Sequence, residues 1–176
     1  MKRLHRRVQH YFACLILLAT VAAWPSPGWS RTAKHTCDVD KVVRGLLQNW
    51  GKQLKEAWSQ NKPGLIVSTY AANGVLLPTC SKGPLTGHEG IGGYFVKDFL
   101  PLKPVANFDF DSNPPKIGGD CAHAFASGLY DFDLTTATGK VKAQARYTYV
   151  FTGTLIAQHH SSLVPMKPPQ ECPAKP

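Results

Sequence analysis

Residues 140–151 read KVKAQARYTYVF, and their order of side chains is the clearest indication of the fold. Apolar and polar side chains alternate along it, which is the period of a β-strand. One face would carry the apolar side chains Val141, Ala143, Ala145, Tyr147, Tyr149 and Phe151. The other face would carry polar side chains, among them Arg146. Such alternation is typical of an antiparallel strand with one face on the core and one in solvent.

Similar patterns on either side extend this interpretation to the whole chain. Strand-like segments also occur at 105–111, 121–134 and 155–164, separated by stretches rich in glycine and proline. The preceding half is helical: apolar residues recur every three or four positions over 38–60, with Asp38 as the expected N-cap. We expect a short helix from Pro63 to Tyr70, a turn at 73–74, a short strand at 75–77 and a third helix at 91–100. Helices followed by antiparallel strands predict an α+β fold.

The N-terminus has the pattern of an export signal. Four cations, Lys2, Arg3, Arg6 and Arg7, precede an apolar run over 11–23 that proline then breaks. We expect residues 1–30 to be a signal peptide, with cleavage before Arg31, or after Ala23 as the second choice. The run is shorter than the roughly 20 apolar residues of a membrane-spanning helix, so no stable membrane insertion is expected after cleavage. The predicted location is secreted or periplasmic.

Without that leader the chain is only mildly basic. The formal charge of +9 falls to +5, because 16 Lys and Arg remain against 11 Asp and Glu. The basic residues are scattered and form no stripe with aromatic residues, so we expect no nucleic-acid partner. The remaining chain suits one domain over 31–165 and a proline-rich tail over 166–176.

The leader also takes Cys14, which leaves four cysteines for an oxidising compartment: Cys37, Cys80, Cys121 and Cys172. Two disulfides are therefore expected. We favour Cys37 with Cys172, which would tie the chain ends together, and Cys80 with Cys121, although all three pairings stay open. No C-x-x-C pair occurs, which disfavours zinc and thioredoxin-like chemistry.

Five segments in order carry a resemblance to a known family. They read YAANGVLLPT (70–79), YFVKDFL (94–100), ASGLYDFDL (126–134), ARYTYVF (145–151) and HHSSLVP (159–165). Together they resemble the nuclear transport factor 2-like (SnoaL-like) superfamily, and within it bacterial relatives of the calcium/calmodulin-dependent protein kinase II association domain, the SgcJ/EcaC-like group. The resemblance implies a cone-shaped, cystatin-like fold with helices packed on a curved antiparallel sheet and a pocket between them. It also implies a homodimer or larger ring formed through the outer sheet face.

The same resemblance suggests a site. Arg146 matches an arginine that looks into the pocket of the kinase hubs, and Ser161 falls where those hubs carry a second arginine. A lone guanidinium could bind a small carboxylate-type ligand through two parallel hydrogen bonds. The alternative is a structural ion pair of this arginine with one of four acids, Glu89, Asp109, Asp131 or Asp133.

The histidine pair allows a different function. His159 and His160 are adjacent on a strand and must point to opposite faces, with His159 and Ser161 on the pocket side. His159 could be a general base or a hydrogen-bonded structural histidine, and Tyr94 and Tyr130 are candidate pocket walls. His88, Glu89 and His123 could form a metal site only through tertiary contacts, so we expect no metal and no cofactor.

Two functions follow from these observations. The first is an exported non-catalytic domain that oligomerises through its sheet and binds a small organic anion near Arg146. The alternative is a small isomerase, cyclase or dehydratase that uses His159 in the same pocket. A secreted protein that acts by surface contact alone is a third possibility, whereas the lack of a G-x-S-x-G motif argues against a serine hydrolase.

Overall fold

The computed structural model of the chain describes residues 37–165 and Cys172. The predicted signal peptide at 1–30 and the tail at 166–176, except for Cys172, lie outside the described residues. Among the residues that are described, no helix combines the length and the apolar character needed to cross a bilayer.

The long first helix, α1, spans Val39–Ser59, close to the predicted 38–60. Asp38 caps it, since the Asp38 carboxylate accepts a hydrogen bond from the Lys41 backbone N–H at 3.1 Å. Its buried side, listed in order, consists of Val43, Leu47, Trp50, Leu54 and Ala57. These positions recur every three or four residues, so one stripe of the helix lies against the sheet.

Two shorter helices follow. Helix α2 spans Gly64–Val67 and α3 spans Gly87–Tyr94. The chain after α3 forms a π-helical turn at Phe95–Phe99 and a 3-10 turn at Leu100–Leu102. Pro101 was expected to end the third helix, but the α-helical pattern already ends at Tyr94. The proline sits early in the 3-10 turn, where its missing N–H costs nothing.

The strands form one sheet, and the predicted α+β fold is confirmed. The strands are β1 (Tyr70–Leu77), β2 (Leu85–Thr86), β3 (Val105–Asn107), β4 (Lys116–Gly119), β5 (His123–Thr136), β6 (Gly139–Thr152) and β7 (Leu155–Leu163). Their order is β2-β1-β7-β6-β5-β3, and β4 also pairs with β5. Neighbours are antiparallel except β1 and β7, which are parallel.

The predicted turn at 73–74 is wrong. These residues lie inside β1, where the register against β7 shifts between Tyr70 and Val75. A Cβ atom on Gly74 would lie 3.0 Å from the carbonyl oxygens of Ala71 and Ile156. The glycine therefore allows two backbones to approach closely at a strand irregularity, which is another use of glycine in strands.

Strand β3, which was predicted over 105–111, also ends earlier than expected, at Asn107. The Asp109 carboxylate accepts backbone N–H bonds from Asp111 at 3.2 Å and from Ser112 at 3.0 Å. An aspartate that bonds the backbone ahead of it favours a turn over a strand ladder. Strand β4 was not predicted, because its KIGG sequence lacks an apolar alternation.

The cysteines form two disulfides, but the favoured pairing is wrong. Cys37 pairs with Cys121 and Cys80 with Cys172, at Cα–Cα distances of 6.3 and 5.8 Å. The Cys37–Cys121 bond joins the residues just before α1 to the bend that precedes β5. The second is possible because β1 and β7 are parallel, so the chain leaves both strands on the same side.

Candidate ligand-binding cavity

A cavity of about 970 Å³ lies between the inner face of the sheet and the segment formed by α3 and the π-helical turn. Six aromatic side chains line it: Trp50, Tyr94, Phe95, Phe99, Tyr130 and Phe132. On β6 the lining residues are Ala143 and Ala145, whose small side chains leave the space open. Exposed polar residues, among them Lys82, Thr86 and Glu89, line the rim. Volume and aromatic walls are both typical of a small-molecule pocket.

The floor of the cavity, which we define as Tyr130, His159 and Ser161, is polar and buried. His159 is only 3% exposed. Its Nδ1 atom lies 2.8 Å from the Tyr70 hydroxyl and its Nε2 atom lies 3.3 Å from the Tyr130 hydroxyl. The imidazole stacks on Tyr149 with ring centroids 3.9 Å apart. Both ring nitrogens are thus bonded, and the ring orientation is held by packing.

Burial, and to a smaller extent the neighbouring His160, lower the pKa of His159 from 6.5 to about 3. The charged imidazolium would lose its hydration and gain no carboxylate in return. His159 is therefore neutral at pH 7.

Trp50 bonds the hydroxyl group that faces Nδ1 of His159. Its indole N–H donates to the Tyr70 hydroxyl oxygen at 3.2 Å, and an indole can only donate. The Tyr70 proton remains available for donation to Nδ1 of His159. Nδ1 accepts it when the ring proton is on Nε2, and the bonds at Tyr130 decide that.

The hydrogen bonds on the Nε2 side of the His159 ring run in the same direction. The Tyr130 hydroxyl donates to Ser161 Oγ at 2.7 Å, which uses its only proton. The Nε2–H of His159 must therefore donate to Tyr130, and the ring is the Nε2–H tautomer. Ser161 Oγ lies 2.6 Å from Thr79 Oγ1, which extends the chain of hydrogen bonds to the end of β1.

This arrangement leaves the floor neutral and the Nδ1 lone pair of His159 occupied. Burial also raises the pKa of Tyr70 and Tyr130 well above the usual value, so both hydroxyls keep their protons. A general base needs an unoccupied lone pair and a pKa near the working pH. His159 has neither, which matches the structural histidine rather than the general base.

Four of the five predicted ligand-binding residues line the cavity: Tyr94, Tyr130, His159 and Ser161. Tyr94 stacks on Phe99 with ring centroids 5.8 Å apart and forms part of the wall. His160 is exposed on the opposite face of β7, as the alternation predicts.

Arg146 is placed differently from the expectation. It is exposed on the outer face of β6, between the buried Ala145 and Tyr147. Strict alternation along β6 excludes it from the cavity that its neighbours face. No described carboxylate forms an ion pair with it. The placement of Arg146 in the pocket was therefore wrong, and so was its structural pairing with an acid.

The potential metal ligands do not meet. The His88 Nε2–H donates to the Tyr70 carbonyl at 2.9 Å, and within 37–165 and Cys172 no three His, Cys, Asp or Glu side chains group together as ligands would.

Two features of the cavity were not predicted. Thr79 was not singled out, although it directly follows Pro78 at the end of an apolar strand and that position could have drawn attention to it. The π-helical turn Phe95–Phe99 contributes Phe95, Lys97, Asp98 and Phe99 to the lining. Such turns are rare and are frequent at functional sites, but its sequence resembles any amphipathic helix.

Comparison with solved structures gives a clear relative. A crystal structure from Xanthomonas campestris, described as a calcium/calmodulin-dependent protein kinase II association domain, is 35% identical with a TM-score of 0.61. The match covers 70% of this chain and 86% of that one. No family model matches the sequence, and no curated protein matches it either.

More distant structures share the fold. A nuclear transport factor 2-like superfamily protein from Salmonella enterica is 16% identical with a TM-score of 0.59, over 76% of this chain and 92% of that one. A protein from Streptomyces avermitilis, described as a dehydratase of the same family, is 13% identical with a TM-score of 0.54, over 71% and 98%. With the 35% identity of the Xanthomonas protein, these matches show that the chain belongs to the nuclear transport factor 2-like superfamily, in the group related to the calcium/calmodulin-dependent protein kinase II association domain.

Proposed function

We propose that this chain is a non-catalytic binding domain that holds a small, largely apolar molecule in the cavity above Tyr130, His159 and Ser161. The observation that carries the proposal is a large aromatic-walled cavity whose floor is uncharged and fully hydrogen-bonded. Apolar walls favour a ligand with apolar surface, and the few polar groups orient it.

The enzymatic alternative has weaker support. Isomerase, cyclase and dehydratase chemistry all need a group that removes a proton, and His159 was the candidate. Its Nδ1 lone pair is occupied by Tyr70, and its pKa of about 3 makes it a very weak base. The Streptomyces avermitilis protein described as a dehydratase is 13% identical, and this likeness shows a shared fold alone.

A cavity-filling variant tests the proposal. Ala143 lines the cavity, whereas the next residue, Gln144, is exposed on the outer face. Ala143→Phe should reduce binding of 2-acetylnaphthalene at least tenfold in equilibrium dialysis, and Gln144→Phe should leave it unchanged. The proposal is lost if folded Ala143→Phe protein binds as well as the wild type, or if the wild type binds no aromatic probe at all.

Self-association through the outer sheet face is the second part of the proposal. Phe125 on β5 is 48% exposed and lies over Gly118 of β4, and Leu155 on β7 is 41% exposed. Exposed large apolar side chains on a sheet face favour burial against a partner. The relatedness to an association domain supports the same function.

Light scattering tests this part. We expect the wild type to be a dimer or larger ring, and Phe125→Lys to shift it toward the monomer. Val96 is 51% exposed on the π-helical turn, away from the sheet face, so Val96→Lys is the matched control and should keep the assembly. A wild-type protein that stays monomeric at millimolar concentration would exclude self-association.

Export completes the proposal. Two disulfides join all four cysteines outside the predicted leader, and such bonds persist in oxidising compartments. N-terminal sequencing of protein purified from its native compartment should begin at Arg31, or at Trp24 if the second cleavage site is used. A mature protein that still starts at Met1 would contradict export.

A further inference from the structure

We infer that the cavity selects an uncharged ligand with a hydrogen-bond acceptor, such as a ketone or ether, and that the Thr79 hydroxyl donates to that acceptor. The inference rests on the proposed binding function and adds the chemical class of the ligand. It follows from counting protons along the hydrogen-bond chain that crosses the floor.

The hydrogen-bond chain across the floor runs in one direction. It begins at the Trp50 indole N–H, which can only donate, and passes through Tyr70 to His159. From His159 it continues through Tyr130 to Ser161, since Tyr130 donates to Ser161. Each hydroxyl along it accepts one bond and donates one. Every proton up to Tyr130 is therefore used.

The last two members decide where the chain ends. Ser161 Oγ accepts from Tyr130 and shares one hydrogen bond with Thr79 Oγ1, 2.6 Å away, in which either hydroxyl could donate. The pair has two protons and uses one between them, so one proton is left over. With Ser161 as the donor, which continues the direction of the hydrogen-bond chain, Thr79 accepts and retains that proton. Among the described residues Thr79 Oγ1 has no other hydrogen-bond partner. The chain thus ends in an unused donor on a residue that lines the cavity.

Thr79 also borders a second, smaller cavity of about 410 Å³. Among the described residues, no Phe, Tyr or Trp lines that cavity, whereas six such residues line the large one. An apolar molecule with one acceptor therefore fits the large cavity better.

Charge supports a neutral ligand. Among residues 37–165, the charged ones that line the cavity are Lys82, Glu89, Lys97 and Asp98, and none of them is buried. The buried part of the lining holds aromatic, aliphatic and hydroxyl side chains and the neutral His159. An ionised head group placed on the floor, against His159 and Ser161, would lose its hydration without a buried counter-charge among the described residues, which is costly.

One other hydroxyl competes for the role. Tyr94 lines the cavity, and burial together with the nearby Asp98 charge raises the pKa of Tyr94, so this hydroxyl also stays protonated. Unlike Thr79 it is not linked to the floor by a hydrogen bond, so no chain of bonds fixes the direction of its proton. We assign the donor to Thr79 and include Tyr94 in the test.

The test compares two probes of nearly equal shape, 2-acetylnaphthalene, which carries a carbonyl, and 2-ethylnaphthalene, which does not. Equilibrium dialysis of the full-length mature protein should show about a fivefold preference for the ketone, the size expected for one neutral hydrogen bond. Thr79→Val should weaken the preference, and Thr79→Ser should retain it. Thr86→Val is the matched control, since Thr86 also lines the cavity but is exposed at its rim.

The outcomes separate this inference from the proposed function. If the wild type binds both probes equally, the acceptor preference is wrong while binding in the cavity stands. If Tyr94→Phe removes the preference and Thr79→Val does not, the assignment to Thr79 is overturned. If neither probe binds, the proposed function fails and the inference fails with it.

Discussion

Burial of His159 without a charged partner links its protonation to stability. Its pKa is about 3 in the folded protein, against an ordinary value of 6.5 when unfolded. Between these values the unfolded chain binds a proton that the folded protein does not. The stability that is present above pH 6.5 is therefore lost as the pH falls, at about 1.4 kcal/mol per pH unit.

This predicts the pH dependence of urea unfolding between pH 6 and pH 5. The window lies above the range in which Asp109 and Asp120 titrate, because the pKa of each is lowered from 3.8 by backbone N–H bonds. Wild-type protein should lose about 1 kcal/mol across the window. His159→Gln should flatten the dependence, and His160→Gln on the exposed face should keep it. Equal slopes in all three proteins would contradict a neutral buried His159.

Nitrogen NMR tests the tautomer independently of any variant. The spectrum at pH 5 should show His159 with a protonated Nε2 and a bare Nδ1, because Tyr70 donates to Nδ1 and Tyr130 has no proton left for Nε2. A signal from a protonated Nδ1 would reverse the direction of the whole hydrogen-bond chain.

Two tyrosines near His159 allow a matched comparison of the same substitution. The Tyr130 hydroxyl joins His159 to Ser161, whereas the buried Tyr149 hydroxyl has no partner among the described residues. Tyr130→Phe leaves buried groups unsatisfied and should cost about 1–3 kcal/mol. Tyr149→Phe keeps the stacked ring on His159 and should change stability by less than about 0.5 kcal/mol, or raise it. Chemical denaturation measures the free energy of unfolding of both variants. Equal losses would show that the hydrogen bonds of Tyr130 do not stabilise the protein.

At the scale of elements, the irregularity in β1 depends on a missing side chain. A Cβ atom on Gly74 would crowd two carbonyl oxygens at 3.0 Å, and neither backbone can shift without disturbing the β1–β7 pairing. We expect Gly74→Ala to destabilise the protein by about 1–3 kcal/mol, as overpacking usually does.

The control substitution should change the stability in the opposite direction. Gly45 lies inside α1, where an added Cβ would meet no atom within 4 Å. Gly45→Ala should therefore stabilise the protein by about 0.5–1 kcal/mol through helix propensity. Thermal unfolding of the two variants should move the midpoint in opposite directions, and a stable Gly74→Ala protein would mean that β1 accommodates a regular register.

For the whole molecule, the disulfides connect distant parts of the chain. The bonds Cys37–Cys121 and Cys80–Cys172 span 84 and 92 residues. Peptide mapping of non-reduced protein should recover these two pairs and no other pairing. Replacing Cys37 and Cys121 together by serine should cost about 2–5 kcal/mol of unfolding free energy. Recovery of a Cys37–Cys172 peptide would show that the ends of the domain are arranged differently.

The sequence alone was sufficient for the class of fold and for which face of each long strand is buried. The alternation over 140–151 assigns the inner face of β6, and the same parity separates His159 from His160. This works because a strand has a period of two and one face must exclude water. The same parity argument places Arg146 on the outer face of the sheet. The resemblance to the kinase hubs favoured a position in the pocket instead, and that position was wrong.

Only the tertiary structure decided the disulfide pairing, the use of Gly74 and the character of the floor. Each of these three features depends on contacts between residues far apart in the chain, and a local sequence pattern does not predict which distant residues come into contact. The hydrogen bonds from Trp50 to Tyr70 and from Tyr70 to His159 join a helix and two strands, and they turn a residue with the chemistry of a base into a neutral donor and acceptor. Local periodicity therefore determined the elements of this protein, whereas long-range contacts determined the chemistry of its cavity.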